Sequence, residues 1–215
     1  MNFCQPQGWT LRSERQQPNF FVSVLTDMGA SQHYAAVLVF DEPRFPSVTR
    51  PVLLGDDVDE EDLDESTTIQ LCGGGTPVLY YPKCLVLVSR HAFFQTFRNC
   101  LGTIYTVYME RMPYELESIV ATLVGGVQVV SPGGPLQLFS LGASDSQAVQ
   151  PPLTASIPVT NSTVALLFKQ LGIYNVMCLF CGILTDRKVL FQSQSYTRLI
   201  EASHALSSLI YPLKY

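Results

Sequence analysis

Histidine is scarce in this sequence. Only His33, His91 and His204 are available for proton transfer near neutral pH, and none stands beside a candidate nucleophile. An acid–base site would have to be built from a hairpin loop, a strand end and a helix interior. Six cysteines in 215 residues are too few for a disulfide scaffold, and most lie among aliphatic residues, where a thiol packs as a small hydrophobe. Reduced, buried thiols are therefore expected. Cys178-Leu179-Phe180-Cys181 has the spacing of half a zinc site, but the sequence supplies no second pair and no neighbouring histidine, so no metal is expected. Its apolar surroundings also argue against a reactive thiol.

Long hydrophobic runs are missing too. The longest strongly apolar stretch, Val176 to Leu184, is about half of the roughly 18 residues that a membrane span requires. Met1-Asn2-Phe3-Cys4 lacks the basic flank and apolar run of a signal peptide. The expectation is a cytoplasmic chain with no transmembrane segment. Basic clusters of the kind that bind nucleic acid are absent. Phosphate-loop chemistry fares no better, since Gly73-Gly74-Gly75-Thr76-Pro77 has no following lysine and no G-x-G-x-x-G follows a strand. Gly142-Ala143-Ser144-Asp145-Ser146 resembles a nucleophile elbow only in part: serine replaces its final glycine, and no clear helix follows. No cofactor and no catalytic residue are expected.

What is present is a core. Hydrophobic residues make up 47% and charged residues 14%, enough for one compact domain or two small lobes. The net charge of −5 is unevenly spread, because eight of the 18 acids lie between Asp56 and Glu65, leaving 13 basic against 10 acidic residues elsewhere. With prolines ahead and glycines behind, this block reads as a solvated loop over 55–75, either a solubilising insert or a guard that competes for a basic surface.

Short β-rich runs at Asn19–Leu25 and Tyr34–Phe40, joined by a polar loop containing Gly29, predict a hairpin. The unbroken apolar run Cys84–Val88 predicts a strand covered on both faces, followed by a helix that presents Phe93, Phe97, Cys100, Leu101, Ile104, Tyr105 and Tyr108 on one side. Pro113 opens a second helix, stopped at Gly125-Gly126. Residues 1–125 thus read as an α/β lobe. The prolines and glycines of 126–158 make a connector in which 137–141 could form a short strand. From 159 to 215 the order reads α-α-β-α. Asn161-Ser162-Thr163 offers capping oxygens, Gly172 a helix end, Asn175 a second cap, Val189–Phe191 a strand, and Tyr196–Ile210 a last helix before Pro212. In this setting the glycosylation sequon Asn161-Ser162-Thr163 reads as a helix cap.

Residues spread in fixed order over nearly the whole chain resemble the DENN module of the set-binding-factor branch of myotubularin-related proteins. They include Phe3-Cys4-Gln5-Pro6 with Gly8-Trp9, Phe20-Phe21-Val22, Leu25-Thr26-Asp27, Pro82-Lys83 with Leu85–Arg90, Phe97-Arg98 and Ser140–Ala143. Val164–Phe168, Gln170–Ile173, Leu184–Phe191 and Pro212–Tyr215 continue the likeness. The resemblance implies a longin-like upstream lobe, a sheet with flanking helices, followed by the first part of an α/β core lobe that stops short of completion. It also implies a guanine nucleotide exchange factor for Rab-family small GTPases, incomplete in this chain. The alternative is a non-catalytic scaffold that binds a GTPase or a membrane-traffic partner. Peripheral association with endosomal or vesicle membranes would then belong to downstream domains outside these residues. The residues expected to meet a GTPase switch region, in a cleft between lobes, are Arg98, the turn Asp186-Arg187-Lys188, Gln192 and Ser193, through charge-assisted hydrogen bonds. The plain alternative is a solvated helix-to-strand turn and a helix-surface charge.

Overall fold

The computed structural model describes residues 2–6, 8–29, 31–44, 78–129, 131–142, 145–160 and 162–213. The acidic block, Gly73–Gly75, Asn161, Ala143, Ser144, Lys214 and Tyr215 lie outside them. The architecture is mixed α/β, as the patterning implies. β1 (Asn19–Thr26), β2 (Gln32–Arg44) and β3 (Leu79–Ser89) form an antiparallel sheet in that order. Its register sets Phe21 opposite Val37 and Val37 opposite Val86, so alternate residues fall on two faces.

One face carries Phe20, Val22, Ala36 and Leu38 under α1 (Phe94–Met109), whose Phe94, Phe97 and Leu101 face inward. The other face carries Phe21 and Val37, packed with Phe3, Cys4 and Cys84. β2 is covered on both faces and buried continuously from Ala35 to Leu38, whereas Cys84–Val88 of β3, expected to be covered on both faces, is not: β3 is an edge strand and its Val86 and Val88 are exposed. Asp41 is only 2% exposed. Its carboxylate accepts the Gln16 backbone N–H at 2.8 Å and lies 3.8 Å from the Arg12 guanidinium. Arg12 in turn exchanges backbone hydrogen bonds with Tyr80 at 2.9 and 2.8 Å, so a buried charge anchors the N-terminal segment to the start of β3.

Pro113 occupies the first turn of α2 (Pro113–Ala121), and a π-helical turn, Thr122–Gly126, closes it at the expected glycines. Between the two helices the chain reverses on Arg111. Met112 N–H reaches the Val107 carbonyl at 3.3 Å and Arg111 N–H reaches that of Tyr108 at 3.2 Å. This is a Schellman closure with arginine at φ +57°, a position that favours glycine. The expected connector holds a second hairpin, β4 (Gln137–Gly142) with β5 (Asp145–Val149). β5 is absent from the sequence reading because Asp-Ser-Gln-Ala-Val shows no run of strand formers.

Four further expectations are corrected. Val189–Phe191 forms no strand among the described residues, so the chain after α3 (Thr163–Leu184) returns to α4 (Tyr196–Leu209) through an unpaired connection. Ser162 makes no side-chain cap, and the Thr163 hydroxyl instead donates to the Thr160 carbonyl at 2.6 Å. Asn175 caps nothing either; its amide donates to the Leu171 carbonyl at 2.8 Å. Cys178 and Cys181 are exposed, whereas Cys4 and Cys100 are buried.

α3 is also longer than the apolar run that marks it, and by length and composition it could cross a bilayer. Gly172, at φ +77°, breaks it into halves of nine and twelve residues, each short of the roughly 20 a span needs. Leu167, Val176 and Ile183 pack on Ala202, Ala205 and Leu206 of α4.

Replacing Arg111 with glycine removes the left-handed strain at the α1 terminus. The expected result is a gain of about 0.5–1 kcal/mol, read as a rise of a few degrees in Tm by thermal denaturation.

Candidate functional site

The lobe that carries the sheet and the helical pair α3–α4 meet along α4. Its first turn starts at Ser195, whose hydroxyl accepts the Arg198 N–H at 3.4 Å. The next residues straddle the outer edge of β1. Tyr196 packs its ring 5.5 Å from that of Phe21 on one face, the Thr197 hydroxyl donates to the Phe20 carbonyl at the edge, and Ile200 joins the core on the other face. An edge strand's unpaired carbonyl is thus satisfied by a helix side chain.

Arg98 belongs to this joint. Its guanidinium lies 5.3 Å from the Phe20 ring centroid, a cation–π geometry between α1 and β1. It also faces Glu201 of α4. Burial raises the Glu201 carboxyl above its ordinary range, and the Arg98 charge opposes that rise. One turn further on, His204 is held between Tyr34 and Phe94, with ring centroids at 6.1 and 5.0 Å. Its Nδ1 is buried without a hydrogen-bond partner, and burial holds the imidazole below the usual histidine range. The same burial raises the Tyr34 hydroxyl.

The other expected residues occupy the connection from α3 to α4. Asp186 sits at φ +57°. Its N–H reaches the Ile183 carbonyl at 2.9 Å, and Arg187 N–H reaches that of Gly182 at 2.9 Å. Asp186 thereby takes the place of the usual glycine, which an aspartate tolerates better than most residues. Asp186, Arg187 and Lys188 share this exposed turn. Gln192 and Ser193 are exposed as well, and the Ser193 hydroxyl receives the Ser195 N–H at 3.1 Å, linking them to the start of α4. The structure therefore joins Gln192 and Ser193 to the start of α4, places Arg98 against Phe20 of β1 and Glu201 of α4, and sets the 186–188 turn directly after the C-terminus of α3.

Sequence reading missed Thr197, Glu201 and the Glu42–Lys83–Tyr81–Tyr108 group where β2 and β3 run on past the start of β1. There Lys83 pairs with Glu42 and donates to Tyr108 at 2.7 Å, while the Tyr81 hydroxyl donates to Glu42 at 2.9 Å. The Lys83 contact is the main cause that holds the Glu42 carboxyl low, and Lys83 itself is raised chiefly by Glu42. Only contacts between elements far apart in sequence reveal these groups. Among the described residues no cluster of His, Cys, Asp and Glu is placed to hold a metal ion.

Fold and joint together define a mixed α/β module in which a helix-backed sheet is clasped by a helical pair. The chain belongs to the DENN (AEX-3) domain family, whose model matches residues 80–215, with a uDENN domain matched over residues 1–40. Myotubularin-related protein 5 of Caenorhabditis elegans is 41% identical over 213 residues, 99% of this chain and 10% of that protein. DENN domain and WD repeat-containing protein SCD1 of Arabidopsis thaliana is 30% identical over 141 residues, 65% of this chain and 12% of that protein. The chain thus spans about a tenth of the length of these relatives. Both the family and the myotubularin-related likeness agree with the resemblance read from the sequence.

Depression of His204 has a definite sign. The unfolded chain takes up a proton near pH 6.5, and the folded chain resists it. The stability that neutral His204 contributes is present above that pH and is lost as the pH falls through and below it. Thermal denaturation between pH 7.5 and 5.5 is expected to show a falling Tm, with a shallower fall in His204→Phe. Equal slopes would remove His204 as the cause.

Proposed function

We propose that this chain contributes to guanine nucleotide exchange on a Rab-family small GTPase. The observation that supports this reading is membership of the DENN family over residues 80–215, with the uDENN match ahead of it. An exchange factor breaks no covalent bond. It binds the nucleotide-free GTPase more tightly than the nucleotide-bound form, and by linkage it lowers nucleotide affinity by the same factor. Such a protein requires a shaped, charged surface and no catalytic dyad.

Arg187, Lys188, Gln192 and Ser193 supply exposed donors along one connection, and Asp186 an acceptor. Arg98 is exposed but already oriented by Phe20 and Glu201, which reduces the entropy lost when its guanidinium meets a partner carboxylate. In this reading these residues contact the switch regions of the GTPase. A domain division at 1–125, 126–158 and 159–215 goes with the same proposal, with α4 as the element that returns to the first lobe.

The test is release of a fluorescent guanine nucleotide from a panel of Rab GTPases, using this chain and a version extended along the longer relatives. Acceleration by either form supports exchange. Binding without acceleration by both identifies a GTPase-binding scaffold instead. In whichever form is active, Arg187→Glu with Lys188→Glu is expected to slow release about tenfold or more, since a charge-assisted hydrogen bond contributes on the order of 1.5–3 kcal/mol. The Tm should hardly change, because both side chains are exposed.

A further inference from the structure

The sheet has two outer edges, and they are treated differently. α4 closes the β1 edge through Thr197 on the Phe20 carbonyl. At β3 only the first residues are covered, where Tyr80 exchanges both backbone hydrogen bonds with Arg12. That pairing fixes the direction of every backbone group along the strand. Tyr80 points outward, so Pro82, Cys84, Val86 and Val88 point outward too, while the odd-numbered residues bond to β2. The prolines agree with this phase, since Pro82 and the Pro43 opposite Tyr80 both fall where no ladder donor is needed.

Beyond Pro82, the N–H and C=O groups of Cys84, Val86 and Val88 have no strand partner among the described residues. Val86 and Val88 remain 39% and 55% exposed. Alongside this edge runs a groove of about 470 Å³, walled by Val120, Val124, Val129 and Phe139, and none of the described residues that line it is charged. A lipid chain would fill the apolar walls but leave the row of backbone donors and acceptors unsatisfied. A strand satisfies both.

We propose that the occupant is a second copy of this chain, paired antiparallel through β3. The occupant must be an extended, uncharged, aliphatic segment with free edge groups of its own, and Cys84–Val88 is such a segment. A two-fold axis at Val86 sets Val86 of one copy opposite Val86 of the other as a hydrogen-bonded pair, and Cys84 opposite Val88. The two three-stranded sheets become one of six strands. Each copy covers the exposed valines of the other, and Pro82 ends the pairing on either side.

This proposal is independent of nucleotide exchange. Sedimentation equilibrium of the 215-residue chain is expected to show a monomer–dimer equilibrium. Val86→Pro removes an outward N–H that β2 does not use, so it leaves the sheet within each copy intact and should raise the dissociation constant at least about tenfold. Circular dichroism checks that the fold survives. Val88→Lys, which alters no backbone group, should weaken the dimer in the same direction by opposing charge and desolvation, and it decides the matter should the proline variant fail to fold. A monomer at about 100 µM, or a dimer that both substitutions leave unchanged, overturns the proposal.

Discussion

The place of the α3–α4 pair in the molecule depends on the clasp of α4 over β1. α3 packs on α4 and not on the sheet, so the α3–α4 pair is held to the rest of the molecule through Tyr196, Thr197, Ile200 and His204. These contacts differ in kind. Tyr196 and Ile200 bury apolar area on opposite sides of one strand, Thr197 satisfies a carbonyl that would otherwise lie bare at the edge, and His204 fills a slot between two rings. The first three reward closure, whereas the buried imidazole nitrogen without a partner opposes it. The joint is therefore held by packing and weakened by one polar group whose charge state follows pH.

Local chemistry made part of this fold legible. Gly29 and its polar neighbours marked the β1–β2 turn, the apolar spacing after Phe93 marked α1, and Pro113 with Gly125-Gly126 bracketed the second helical segment. Where the usual markers are missing, the sequence misleads. Arg111 and Asp186 adopt the left-handed cap conformation that glycine normally advertises, and β5 is too polar to read as a strand. Val189–Phe191 has strand-forming residues but no neighbour to pair with among the described residues. Chain reversal at 111 and 186 is closed by local hydrogen bonds back to Val107 and Gly182, in caps whose left-handed residue is not the glycine that would mark them in a sequence.

The candidate site was legible in outline only. Exposed charge at 186–188 could be read directly, but the partners of Arg98 could not, because Phe20 and Glu201 lie far from it in sequence. Arg98 is accordingly part of the joint as well as part of the surface. That double role ties the proposed contact surface to the clasp: a partner that engages Arg98 also senses how α4 sits on β1.

An exchange factor is defined by a difference of affinities, so equilibrium binding tests the account more directly than any single rate. The decisive measurement compares the affinity of the chain, alone and extended along its longer relatives, for one Rab GTPase in nucleotide-free, GDP-bound and GTP-bound forms. The account predicts that the nucleotide-free form binds at least about tenfold more tightly than either bound form, a coupling of roughly 1.4 kcal/mol. Equal affinity for all three forms would contradict it, since a ligand that does not distinguish two states cannot shift the balance between them.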